Sequence, residues 1–198
     1  MAQILDTIKY QSKNPIKKFF IGQFQKELLN LIKLTQAKLV LDVGCGEGYL
    51  LKPLNNQIIN WHLEGFDISE ELINKAKQNV PTAILSVRDI YNCGYPDEIF
   101  DLVLSTEVLE HLEYPHKALE EIRRLTKRWA ILSVPNEPLF AISNLLAGKN
   151  ILRFGSHKGH YNRWSAKSFV DLVNKYFTVF RVSKPFPWTI VLCEKQVM

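Results

Sequence analysis

Apolar residues recur along the chain in two rhythms. Short runs rich in branched and aromatic side chains cover Leu39–Val43, Trp61–Phe66, Ala83–Val87, Phe100–Leu104, Trp129–Val134, Phe177–Val182 and Trp188–Cys193. Runs of that length, bounded by turn residues, predict strands. Between them apolar positions fall three and four apart, the helical spacing. Asn14-Pro15 supplies a cap and a first-turn proline for a helix with apolar Ile16, Phe19, Phe20, Phe24, Leu28, Leu31 and Ile32. That face predicts packing against a sheet, and its aromatic part could cover a ligand. A helix follows Gly48 through about Leu54. Ser69 caps the next one, with Glu70 and Glu71 favoured in its first turn by the helix dipole. Pro115 starts a helix with inner face Ala118, Leu119, Ile122 and Leu125, and Ser165 caps one with Phe169, Leu172, Val173 and Tyr176.

Strands alternating with helices imply a mainly parallel sheet covered on both faces. The last two strands are joined only by residues 183–187, too few for a crossover, so they must pair antiparallel. The expected fold class is α/β: a Rossmann-like three-layer sandwich whose mostly parallel seven-stranded sheet ends in a C-terminal antiparallel hairpin strand. No repeat or linker divides residues 1–198, so one domain is expected, with residues 1–36 as an N-terminal helical cap. Residues 135–164, rich in Asn, Gly, His and aromatics, interrupt the alternation and are expected to form a lid or substrate insertion.

In such sheets ligands bind beyond the carboxyl ends of the strands, where strand order reverses. The first strand ends there in Asp42-Val43-Gly44-Cys45-Gly46-Glu47-Gly48. Glycines at a strand-to-helix turn let backbone N–H groups approach a ligand closely. The second strand delivers Asp67, about 20 residues on, where an acid can accept from ribose hydroxyls. Ile68 beside it could pack on an adenine face. The third delivers Asp89 with Ile90, and the fourth Ser105, Thr106 and Glu107.

The Gly-x-Gly-x-Gly run after Asp42 resembles the first motif of class I S-adenosylmethionine-dependent methyltransferases. Tyr49 fills the place where a nicotinamide-binding fingerprint has its third glycine. Gly65-Phe66-Asp67-Ile68-Ser69, Arg88-Asp89-Ile90 and Phe100-Asp101-Leu102-Val103 with Glu107-Val108-Leu109-Glu110-His111 match that family's motif order. One departure is Thr126-Lys127-Arg128-Trp129, where many relatives carry a Pro-Gly-Gly turn. The resemblance implies bound S-adenosylmethionine. Asp67 would hold the ribose, and Asp89 and Ile90 the adenine. The loop of Asp42, Gly44, Cys45, Gly46 and Gly48, with Ser105, would hold the methionine end.

Glu107, Glu110 and His111 are the catalytic candidates near the transferred methyl, placed on one face if that segment is helical. His111 has the side chain for a general base. With His160 they could bind Mg2+ or Mn2+, as the resemblance to small-RNA 3′-terminal 2′-O-methyltransferases implies. The step Val134-Pro135-Asn136 fits those enzymes too. The same Glu-Val-Leu-Glu-His occurs in small-molecule methyltransferases, including the ubiquinone-biosynthesis O-methyltransferases, without metal.

Charge bears on the acceptor. The net +5 is uneven: residues 1–40 hold seven lysines and two acids, and residues 135–164 four basic residues and one acid. Those segments suit an anionic small-molecule acceptor held between them. RNA is the alternative acceptor, with Phe140, Tyr161 and Trp164 as stacking groups. A non-catalytic S-adenosylmethionine-binding partner protein is a reading of another class, opposed by the intact acid set. A membrane-surface role for the basic first helix is disfavoured. Cys45, Cys93 and Cys193 lack metal-ligand spacing, and no run approaches a membrane span, so the cytoplasm is expected. The atom methylated and the oligomeric state are not encoded in any motif.

Overall fold

Residues 14–55, 61–137 and 161–196 are described by the computed structural model. Among them, seven strands form one sheet: β1 (Leu39–Val43), β2 (His62–Asp67), β3 (Ile84–Val87), β4 (Phe100–Thr106), β5 (Thr126–Pro135), β6 (Thr178–Ser183) and β7 (Trp188–Glu194). Their order is β3-β2-β1-β4-β5-β7-β6. Neighbours from β3 through β5 pair parallel, and β7 runs antiparallel to both β5 and β6. The expected parallel sheet with a terminal antiparallel hairpin is therefore present. Strand order reverses between β1 and β4, which places the switch point directly beyond the glycine loop.

Helices cover both faces: α1 (Pro15–Thr35), α2 (Leu51–Asn55), α3 (Glu70–Asn79), α4 (Pro115–Leu125) and α5 (Ala166–Val173). Each strand's period of two divides its side chains between two cores. On β5, Ala130, Leu132 and Val134 join α4 and α5 through Leu119, Ile122 and Phe169. Trp129 and Ile131 join α1 and α3 through Leu28, Leu31, Ile73 and Ala76. The capping signals act as read. Asn14 Oδ1 accepts from the N–H groups of Ile16 at 2.9 Å and Lys17 at 3.4 Å. Ser69 Oγ accepts from Leu72 N–H at 3.4 Å, and Ser165 and Ser168 form a reciprocal capping box.

Two boundaries differ from the sequence expectation. The fifth strand begins at Thr126 directly from α4, with no turn where relatives carry Pro-Gly-Gly. Thr126 Oγ1 donates to the Ile122 carbonyl at 2.7 Å, closing the helix, and a register shift opposite Phe100 and Leu102 absorbs the extra residues. In α1, Ile16 and Phe19 are 65% and 61% exposed, although both belong to the predicted apolar face. The cause is position: Phe24 already packs on Trp188, the first residue of β7, so the helical turns before it have no strand beneath them. The C-terminus of α1 leads through residues 36–38 into the start of β1, so its first turns overhang the carboxyl end of the sheet.

Candidate active site at the switch point

The glycine loop has the backbone that its residues demand. Gly44, Gly46 and Gly48 all have positive φ, at 73°, 54° and 75°. At Gly44 an added Cβ would stand 2.6 Å from Val108 Cγ2, so the turn is closed by packing. At Gly46 nothing lies within 4 Å of that position, which leaves open space beside the loop. Gly44 and Cys45 both donate to the Phe66 carbonyl, at 2.8 and 3.0 Å, and so fasten the loop across the top of β2. Glu47 anchors it to α3: Lys75 Nζ reaches its carboxylate at 3.1 Å, and Asn79 Nδ2 donates to its carbonyl at 2.9 Å.

Asp67 closes β2 against this loop. Its Oδ2 accepts from Gly46 N–H at 3.1 Å and its Oδ1 from Ser69 N–H at 2.9 Å. Asp42 is 3% exposed and Asp67 1%. Burial, with the nearby Asp67 charge, pushes the Asp42 carboxyl from 3.8 up to about 8. Burial and the same two acids raise the Cys45 thiol well above its ordinary range, so Cys45 is no nucleophile. Ile68, next to Asp67, is 63% exposed. A buried acid pair, open space above Gly46 and an exposed branched side chain together fit a nucleoside with hydroxyls and a cationic end.

The remaining predicted residues separate. Asp89 is exposed in a turn, with Oδ1 accepting from Tyr91 N–H at 2.9 Å. The Ile90 side chain belongs to the core with Phe66 and Cys93, so it is not available to stack on a base. Ser105 lies inside β4 rather than beyond it and is fully buried, because the strand continues through Thr106.

Glu107, Glu110 and His111 do not stand on one α-helical face. Glu107 has φ +61°, which turns the chain sharply, and only a 3-10 turn, Leu109–His111, follows. Pairing of Glu107 N–H with the Ser133 carbonyl at 3.1 Å fixes that bend. The Glu107 carboxylate accepts from Trp188 Nε1 at 2.7 Å. Glu110 is 2% exposed, and its carbonyl accepts from the N–H groups of Tyr161 and Asn162 at 2.9 and 3.1 Å. His111 is half-buried. His160, His157, Phe140 and the apolar stretch at 139–146 lie outside the described residues. Among the described residues no three His, Cys, Asp or Glu side chains group as metal ligands.

Three contributors escaped the sequence reading. Trp188 was legible only as a strand residue, yet its indole is the partner of Glu107. Glu47 read as a spacer between glycines. Asn162 donates to the Leu112 carbonyl at 2.6 Å and so ties the chain after residue 160 to the 3-10 turn. At the other end Glu137 N–H donates to the Trp164 carbonyl at 3.1 Å.

Among described residues no helix is long and apolar enough to cross a membrane. The fold is shared with solved methyltransferases. A magnesium protoporphyrin IX methyltransferase from Synechocystis, solved with bound S-adenosylhomocysteine, superposes with a TM-score of 0.71 at 20% identity, covering 93% of this chain and 89% of that one. The putative methyltransferase in a complex with the Haloferax volcanii Trm112 activator gives 0.67 at 18% identity, covering 81% and 83%. Among curated relatives, a mitochondrial ubiquinone biosynthesis O-methyltransferase of Candida albicans is 29% identical over 171 residues, 79% of this chain and 51% of that protein. An uncharacterized methyltransferase of Schizosaccharomyces pombe is 32% identical over 111 residues, 50% of this chain and 39% of that one. The chain thus spans about half of the first of these curated relatives and about two fifths of the second. A family model described as a methyltransferase domain matches residues 17–176, and the chain belongs to that methyltransferase family.

Proposed function

We propose that this chain transfers a methyl group from S-adenosylmethionine to a small acceptor bearing an anionic group. The observation that carries the first half is Asp67, buried and 3.1 Å from Gly46 N–H, beside open space at the switch point. Bound there, S-adenosylmethionine supplies a methyl group already activated on a sulfonium, so the protein's task is alignment and exclusion of water.

Asp67 would accept from the ribose hydroxyls, and Ile68 would lie against the base. Asp89, exposed at the end of the third βα unit, remains the candidate for the adenine amine. Asp42, buried below the loop, adds an acid whose ionised form a cationic ligand favours. Glu107, held by Trp188, and His111 stand at the ends of β4 and its turn, on the acceptor's side. His111 would take a proton from an O–H or N–H acceptor as the methyl arrives. Residues 135–164 form the acceptor lid in this account. Support for that comes from both flanks, since Glu137 pairs with Trp164, and Tyr161 and Asn162 with Glu110. The single sheet of the described residues supports one domain, and the three buried free cysteines suit a reducing cytoplasm.

The anionic acceptor rests on the basic excess of residues 1–40, whose helix overhangs the site end of the sheet. Relatives' names include both O- and N-methyltransferases, one a phosphoethanolamine N-methyltransferase of Plasmodium falciparum, so the accepting atom is left open. The test is a panel of carboxylated, phosphorylated and neutral acceptors incubated with S-adenosylmethionine, scored by S-adenosylhomocysteine formed. Turnover confined to acidic acceptors is expected. Turnover of neutral acceptors alone would overturn the anionic assignment.

A further inference from the structure

A groove of about 650 Å3 lies between α1 and the β6–β7 turn, apart from the glycine loop. Its size is that of a small-molecule site. The walls are aromatic. Phe19 and Phe20 come from α1, and Phe186 from the turn, with the Phe20 and Phe186 ring centroids 5.0 Å apart. Phe19 is 61% and Phe186 37% exposed, an apolar surface left open among the described residues. Two exposed lysines, Lys26 and Lys184, line the same groove. The acid there, Glu27, already accepts from Ser183 Oγ at 2.6 Å. The groove therefore pairs a flat apolar lining with an excess of positive charge.

Its position links it to the acceptor's side. Pairing of Pro135 with Trp188 places the β6–β7 turn at the carboxyl end of β5, the end from which the site opens. One helical turn after Phe20, Phe24 packs on Trp188 with centroids 5.1 Å apart, and Trp188 bonds Glu107. Phe24 and Trp188 are buried, so this packed layer is a thin aromatic wall between the groove and Glu107, and a ligand joining the two would pass over its outer edge.

Resting on the methyltransferase reading above, we infer that this groove is a second acceptor subsite, taking a flat apolar body that ends in one acidic group. The acceptor's other end reaches the methyl near Glu107. Such a ligand uses both features of the groove: rings against Phe19, Phe20 and Phe186, and its anion against Lys26 and Lys184.

The probe is 1-anilinonaphthalene-8-sulfonate, an aromatic body with one anionic group, titrated into the full chain saturated with S-adenosylhomocysteine. N-phenyl-1-naphthylamine, which lacks the sulfonate, is the neutral control. One saturable site per chain is expected. The double variant Lys26→Glu/Lys184→Glu should weaken the sulfonate at least tenfold and leave the neutral probe within twofold. Phe19→Ser should weaken both. These side chains are exposed, so melting curves and S-adenosylhomocysteine affinity should be unchanged. An acceptor that turns over should displace the sulfonate. Absence of a saturable site, indifference to the variants, or turnover without displacement would each overturn the subsite. So would a concentration-dependent rise in molecular size that abolishes probe binding, since the face would then be a protein interface. Loss of the probe with S-adenosylhomocysteine binding intact rejects the groove alone. Loss of S-adenosylhomocysteine binding by the wild type rejects the methyltransferase reading itself.

Discussion

Asp42→Asn isolates the electrostatic cost built in beneath the glycine loop. Asp42 has a carboxyl pKa pushed from 3.8 to about 8 by burial and by Asp67. Between those values the folded chain holds a proton that the unfolded chain releases. The stability associated with that proton is complete below pH 3.8 and declines as pH rises to about 8, beyond which it is constant. The slope is about 1.4 kcal/mol per pH unit, so at pH 7 the cost is on the order of 4 kcal/mol, an upper figure because water entering the loop lowers it. Asparagine keeps the shape and cannot ionise. The difference in unfolding free energy between wild type and Asp42→Asn should be small at pH 4.5 and should grow steadily toward pH 8 in favour of the variant. For a chain of this size each 1 kcal/mol is roughly 2–4 °C in melting temperature, so a gap of about 8 °C or more is expected at pH 7. Guanidinium denaturation at four pH values measures it. A difference that does not vary with pH would refute the claim that Asp42 is buried with its charge opposed by Asp67.

Two glycine substitutions should separate folding from binding. Gly44→Ala combines a positive φ with a Cβ 2.6 Å from Val108, and should cost about 2–4 kcal/mol in denaturant titrations. Gly46→Ala meets open space, so it should cost no more than about 1–2 kcal/mol while lowering S-adenosylhomocysteine affinity tenfold or more by calorimetry. Equal affinity in Gly46→Ala would show that no ligand approaches there. Trp188→Phe removes the indole donor to Glu107 but retains a ring against Phe24, and should lose about 1.5–3 kcal/mol of stability. An unchanged denaturation midpoint would mean that the bond contributes nothing in solution.

Much of this arrangement is legible in the sequence because it depends on local signals. The seven apolar runs became the seven strands: the inner ones because both faces of a covered sheet must be apolar, and the edge strands β3 and β6 by their branched and aromatic residues although both are largely exposed. Pro15, Ser69 and Ser165 marked helix starts because a cap acts within one turn. Asp67 was readable as a strand-end acid at a fixed distance from the glycines. The failures are residues whose fate depends on distant partners. Glu107, Glu110 and His111 have helical spacing, but Ser133 and Trp188, far along the chain, hold Glu107 at φ +61° and break the helix. Ile90 and Ile68 look alike beside their acids, and only tertiary packing buries one and exposes the other. Ile16 and Phe19 continue an apolar stripe, yet the sheet beneath them ends first.

The most direct test of the central claim is calorimetric titration of S-adenosylhomocysteine into wild type and Asp67→Asn, with circular dichroism confirming that both are folded. Saturable one-to-one binding by the wild type is predicted, weakened roughly 30- to 100-fold in the variant as charge-assisted hydrogen bonds to the ribose are lost. Absence of binding by the folded wild type, or equal affinity in Asp67→Asn, would contradict the assignment of this loop as the S-adenosylmethionine site.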